Sequence, residues 1–170
     1  MNLIATIIGP DRPGLVESLS ETVSQHGGNW TESRMARLSG HFAGMVQIEI
    51  GRNAVEALTA DLAALSGSGL TVSVVADDTE TIDSEGLNNW TLQLVGQDRS
   101  GIVSQVSSVI AGHGLNVESL ETERESAPMS GEMLFKATAT LSGTDDSSLD
   151  ELRQSLEAIA QDLMVEIALD

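Results

Sequence analysis

Two short segments of this chain concentrate residue types that could hold a small charged molecule: Asp11-Arg12-Pro13-Gly14-Leu15-Val16 and Asp98-Arg99-Ser100-Gly101-Ile102-Val103. Each couples a carboxylate, a guanidinium and a glycine immediately ahead of an apolar pair. An Asp three residues before the glycine suits a helix N-cap, where a carboxylate accepts a hydrogen bond from a first-turn amide, and ligand contact is compatible with that role. Gly14 and Gly101 lack a side chain, which serves either tight packing of a helix on a sheet or the approach of a ligand to backbone N–H groups. The open N-terminal end of a helix favours an anion such as an α-carboxylate. Arg12 and Arg99 are two of only eight Lys and Arg in 170 residues, and they suit either a structural ion pair or a bound carboxylate.

A second pair of segments aligns with the first without a gap: His26-Gly27-Gly28-Asn29 and His113-Gly114-Leu115-Asn116. An imidazole beside a glycine at the end of an apolar helical stripe favourably meets the helix C-terminus. Asn29 and Asn116 could satisfy the following turn, or offer a donor and an acceptor to the charged ends of an amino acid. The repeat spans roughly 80 to 90 residues, well beyond the 20 to 50 of stacked solenoid units, so the chain reads as two whole modules.

Hydrophobic period supplies the elements that must position these residues. Leu3, Ala5 and Ile7 alternate with polar neighbours and predict a strand over 2–8. Leu15, Val16, Leu19 and Val23 fall at helical spacing, Pro13 suits a first helical turn and Gly27-Gly28 a left-handed stop, which predicts a helix over 13–26. A hairpin follows, with strands from Asn29 to Leu38 and from Phe42 to Ile50 around Ser39-Gly40. Val55, Leu58, Leu62 and Leu65 mark a second helix, and Leu70, Val72 and Val74 a closing strand. The order is βαββαβ, and it recurs from Trp90 to Ile167, with extra residues around Ala127-Pro128-Met129-Ser130 at the second hairpin tip. The expected fold is α+β, two tandem ferredoxin-like modules, each an antiparallel sheet with both helices on one face. The first module is expected over 1–78, a polar linker over 79–88 and the second module over 89–170.

Composition bounds the function. A hydrophobic content of 41% describes a globular chain. With no cysteine, disulfides, thiolate nucleophiles and Cys-ligated metals are excluded. No signal-peptide pattern opens the chain and its apolar runs are too short for a bilayer, so cytoplasmic residence and no membrane partner are expected. A net charge of −18 opposes direct contact with nucleic acid, which needs clustered cations. Catalysis is not expected: each His lies most of a helix away from its Asp at about 1.5 Å rise per residue, and no P-loop, HExxH, GxSxG or GxGxxG after a strand occurs. No catalytic residue, metal or cofactor is therefore assigned.

The Gly-x-Asp-Arg-Pro-Gly-Leu-Val stretch, followed by His-Gly-Gly-Asn at the helix-to-strand turn within βαββαβ, resembles an ACT domain. The tandem arrangement is similar to the glycine cleavage system transcriptional repressor family, over nearly the whole chain. The first copy fits best, through Asp11-Arg12-Pro13-Gly14 and the run Asn29-Trp30-Thr31-Glu32-Ser33-Arg34; the second has Ser100 in place of proline. The resemblance implies a regulatory protein that binds a small amino acid, glycine or a similar one, at an interface between ACT modules. The candidate contacts are Asp11, Arg12, Pro13, Gly14, Leu15, Val16 and Asn29, with Asp98, Arg99, Gly101, Ile102, Val103 and Asn116 in the second copy. It further implies control of a DNA-bound activator by protein contact, without a DNA-binding domain, and self-association, with a dimer expected. Related modules serve as regulatory attachments to phosphoserine phosphatase and formyltetrahydrofolate deformylase. The competing expectation is a ligand-independent ACT interaction module or a stand-alone regulatory subunit of an amino-acid metabolic enzyme.

Overall fold

Strict alternation turns Asn2–Pro10 into a strand, β1, whose Leu3, Ala5 and Ile7 are buried while Thr6 and Ile8 face solvent. In the computed structural model, which describes residues 1–77, 87–128, 131–144 and 149–170, this strand is central to the first of two sheets. Helix α1 (Leu15–Gln25) buries Leu15, Leu19 and Val23 at the i, i+4, i+8 spacing of one helical face. Strands β2 (Asn29–Leu38) and β3 (His41–Glu49) form the expected hairpin. Its turn, Ser39-Gly40, has positive φ at both residues, the hand that matches strand twist in a two-residue loop. Helix α2 (Val55–Ala64) lies between short 3-10 turns at Arg52–Ala54 and Leu65–Ser68, and β4 (Thr71–Asp77) closes the module. The sheet order is β2-β3-β1-β4, antiparallel throughout. Leu58 and Leu62 of α2 join the α1 residues over Leu3, Ala5 and Ile7, so both helices cover one face.

The second half repeats this arrangement with β5 (Asn88–Gln97), α3 (Ile102–Gly112), β6 (Asn116–Ser126), β7 (Met133–Gly143), α4 (Leu149–Leu163) and β8 (Val165–Leu169). Its sheet order is β6-β7-β5-β8, around a separate core that includes Leu92, Leu94, Leu141, Leu152 and Leu156. The fold is thus two tandem ferredoxin-like modules. The chain divides into two compact units, Met1–Ile82 and Asp83–Asp170. Most of the expected linker, 79–86, lies outside the described residues, and Asn88, expected within it, already pairs with Gly143 as the first residue of β5. At the second hairpin tip Ala127 and Pro128 are described while Met129 and Ser130 are not; Ala127 N–H donates to the Glu132 carbonyl at 2.8 Å, closing a longer connection than Ser39-Gly40.

One boundary differs instructively. The first helix begins at Leu15, not at Pro13, because Gly14 has φ 87 and ψ 0, a left-handed conformation that no helix interior contains. Those angles belong to the third residue of a type II turn, in which proline is favoured at the second position, and Pro13 occupies it. Gly101 repeats them with φ 93 and ψ −5. Both edge strands also carry an irregularity at equivalent places, between Trp30 and Glu32 and between Val117 and Ser119.

Candidate functional site

Each strand-to-helix loop is anchored by a glycine that packs. A Cβ on Gly9 would stand 2.8 Å from the Gly69 carbonyl oxygen, and one on Gly96 would stand 2.6 Å from that of Met164. The tight packing considered for Gly14 and Gly101 therefore belongs to Gly9 and Gly96. Around Gly14 the nearest atom to an added Cβ is Glu17 Oε2 at 3.8 Å, and around Gly101 it is Gln105 Nε2 at 3.6 Å. What those two positions require is positive φ, not space.

Neither aspartate caps its helix. The N-cap residues are Gly14 and Gly101, and no side chain caps α1 or α3. Asp11 instead donates its backbone N–H to the Gly40 carbonyl at 2.9 Å and places its carboxylate 3.4 Å from Arg37 Nη1. In the second unit, Asp98 N–H donates to the Met133 carbonyl at 2.9 Å and its carboxylate lies 2.7 Å from Arg124 Nε. The physical reason is the left-handed glycine, which turns the chain between Asp and helix and leaves the carboxylate beside the β2–β3 or β6–β7 hairpin. Sequence reasoning missed Arg37 and Arg124, although the 87-residue offset that relates Asp11 to Asp98 also relates them.

Arg12 and Arg99 make no ion pair among the described residues. Arg12 Nη2 donates to the Ser68 carbonyl, and Arg99 Nη2 lies 3.1 Å from both Gln97 Oε1 and Met164 Sδ. Each thus ties its loop to the segment that leads into the last strand while keeping its charge uncompensated by a carboxylate among the described residues. Leu15 and Ile102 are buried core residues, so only their backbone could meet a ligand at the loop, whereas Val16 and Val103 are close to half exposed. Ile102 and Val103 also line a cleft of about 40 Å³ between α3 and the sheet, walled by apolar side chains such as Leu94, Phe135 and Ala137. A carboxylate finds no charged partner in that cleft.

The asparagines stand elsewhere. Asn29 pairs with Glu49, which in turn faces Asn2, while Gly9 and Arg37 both face Phe42. Seven residues of β1 separate the two ends, roughly 24 Å at strand rise. Asn116 is likewise at the end of its sheet away from Gly96, and its Nδ2 donates to Glu118 Oε1 at 2.9 Å. Within either unit, therefore, Asp, Arg and Gly of the loop are brought together and Asn is not. His26 and His113 do occupy the C-cap positions, but their Nε2 atoms reach across to the neighbouring helix, 2.8 Å from Asp61 Oδ2 and 3.1 Å from Ser155 Oγ respectively.

Electrostatics separate the two loops. Glu17 stands in the first turn of α1, where it interacts favourably with the helix dipole and competes with any anion there, whereas the first turn of α3 holds no acid. Among the described residues no cluster of His, Asp and Glu could hold a metal ion, and no helix is long and apolar enough to cross a membrane.

Comparisons with known proteins agree with the fold. Residues 2–75 match the ACT domain family, and the second unit repeats the same βαββαβ order. It is similar to the glycine cleavage system transcriptional repressor of Escherichia coli (strain K12), 23% identical over 165 residues, covering 95% of this chain and 85% of that one. Among solved structures, an unknown protein from Galdieria sulphuraria superposes with a TM-score of 0.81 at 28% identity, covering 99% of this chain and 96% of the other. A structure of a proposed glycine cleavage system transcriptional repressor superposes with a TM-score of 0.72 at 19% identity, covering 99% and 95%.

Proposed function

We propose that this chain is a regulatory protein that binds a small amino acid, glycine or a close relative, and passes the binding event to a partner protein by direct contact. The observation that carries this reading is the duplicated loop: in both units a braced strand-to-helix turn presents a left-handed glycine and a helix N-terminus without a side-chain cap. Such an end attracts a carboxylate through its dipole and its unpaired first-turn N–H groups. Arg12 and Arg99, without a carboxylate partner among the described residues, add positive charge beside it. A ligand contacting both the loop and Asn29 or Asn116 needs an ACT module other than the one that supplies the loop, because each unit holds these groups at opposite ends of its sheet.

In this reading the chain is not an enzyme and acts in the cytoplasm, with self-association as a dimer. Its partner is a regulator protein such as a DNA-bound activator, and direct nucleic-acid contact is disfavoured by the charge of −18. Binding shifts the population of states that the partner distinguishes, which requires different ligand affinities in those states. A thermal-shift screen of the full chain against the twenty amino acids, followed by calorimetry on any hit, tests it, since a ligand of the native state raises the melting temperature by mass action. A selective rise with glycine or serine supports the sensor. No rise at millimolar concentrations favours the second reading, a ligand-independent ACT interaction module or regulatory subunit, for which the Asn116–Glu118 hydrogen bond speaks by giving that asparagine a local structural partner.

A further inference from the structure

The two units have diverged along their edge strands, where Trp30-Thr31-Glu32-Ser33-Arg34-Met35-Ala36 corresponds in sequence to Val117-Glu118-Ser119-Leu120-Glu121-Thr122-Glu123, yet Arg37 and Arg124 remain at equivalent positions. So do the residues they meet. Arg37, Phe42 and Gly9 lie side by side across three strands, and Arg124, Phe135 and Gly96 repeat that row. Asp11 and Asp98 then close each row, with the backbone N–H on the hairpin, at the turn residue Gly40 in one unit and at Met133 of β7 in the other, and the carboxylate on the arginine. The link survives both the exchange of Pro13 for Ser100 and the longer second hairpin tip. In a chain with only eight Lys and Arg, this spends two of them on the same task.

We propose that Arg37 and Arg124 are positioning residues for ligand binding: each holds its strand-to-helix loop, through Asp11 or Asp98, in the register that presents the left-handed glycine and the helix N-terminus, and so couples loop geometry to the hairpin. The proposal rests on the amino-acid-binding reading for its functional consequence. Its structural part stands alone. A role in stability alone is a poor account, because both arginine side chains are well exposed, at 71% and 61%, and exposed ion pairs contribute little to folding. Holding one end of a loop needs only a small bias between two local conformations, which is the scale such a pair supplies.

The test uses the full chain and two readouts. Amide hydrogen exchange is followed over residues 11–17 and 98–104, and calorimetry is run with glycine as the probe. Arg37→Met is expected to speed exchange over 11–17 by roughly two- to fivefold, the range an exposed pair supports, at an unchanged melting temperature. Arg124→Met does the same over 98–104. Glycine affinity falls by a similar factor at the altered loop, and Arg37→Lys retains most of both. The double variant Asp11→Arg with Arg37→Asp, which reverses the pair, restores slow exchange. Unaltered exchange over these segments overturns the proposal, as does a uniform rise across the unit with a lower melting temperature, or faster exchange with unaltered glycine affinity. If the parent chain does not bind glycine, the amino-acid reading has failed, and the exchange data alone decide whether the arginines position the loops.

Discussion

The loop glycines illustrate how a single residue type serves two separate demands within five positions. Gly9 yields space to the neighbouring strand, and Gly14 yields positive φ in open surroundings. The second demand makes a specific expectation: Gly14→Ala costs about 1–2 kcal/mol through left-handed strain alone, whereas Gly14→Asn, a residue that tolerates that conformation, costs less. Urea unfolding of the two variants checks the order. Gly14 was legible as special from its place ahead of an apolar run, and Asp11 as a polar anchor. Its partner was not, because a spacing of three residues between Asp11 and Gly14 points to a local cap, while Arg37 is brought to Asp11 only by pairing of β2 with β3 and β3 with β1. Glu17 sharpens the contrast between the two loops. Glu17→Gln should strengthen carboxylate binding at the first loop by a few tenths of a kcal/mol, the scale of a first-turn charge on the helix dipole, read by calorimetry with glycine.

At the scale of elements, the strands and helices were legible because their periods of two and 3.6 were kept wherever one face met a core. The exceptions are informative. β6 is exposed along nearly its whole length, so its pattern of Glu118, Glu121, Glu123 and Glu125 carries no clear alternation and only its place after the Asn116 turn located it. The junction of β5 with β8 is crowded by backbone, since a Cβ on Gly96 would lie 2.6 Å from both Met164 O and Val165 Cα. Gly96→Ala should therefore destabilise the second unit by about 1–3 kcal/mol, as overpacking does. Gly112→Ala, in the last turn of α3 with nothing within 4 Å, should stabilise it by about 0.5–1 kcal/mol through helix propensity. Opposite shifts of the denaturant midpoint would confirm that contact, not the loss of glycine as such, sets the sign.

At the scale of the whole molecule, 26 acidic residues oppose eight Lys and Arg, and residues 83–170 hold 16 of those acids against four of the bases. Self-repulsion at this density is screened by salt. The melting temperature should rise by a few degrees as NaCl is raised from about 0.05 to 0.5 M, the shift that roughly 1 kcal/mol produces in domains of this size; a fall would mean that the attractive pairs outweigh the general repulsion. The sequence by itself determined the duplication, the βαββαβ order and the exclusion of thiol chemistry, because these follow from local period, from residue identity and from a repeated motif that needs no knowledge of contacts. Only the tertiary structure decided that Asp11 and Asp98 brace hairpins instead of capping helices, that Arg37 and Arg124 are their partners, and that Asn29 and Asn116 stand at the far ends of their sheets. Those are facts of strand register and direction, and register is fixed by pairing between segments far apart in the chain, which no local spacing encodes.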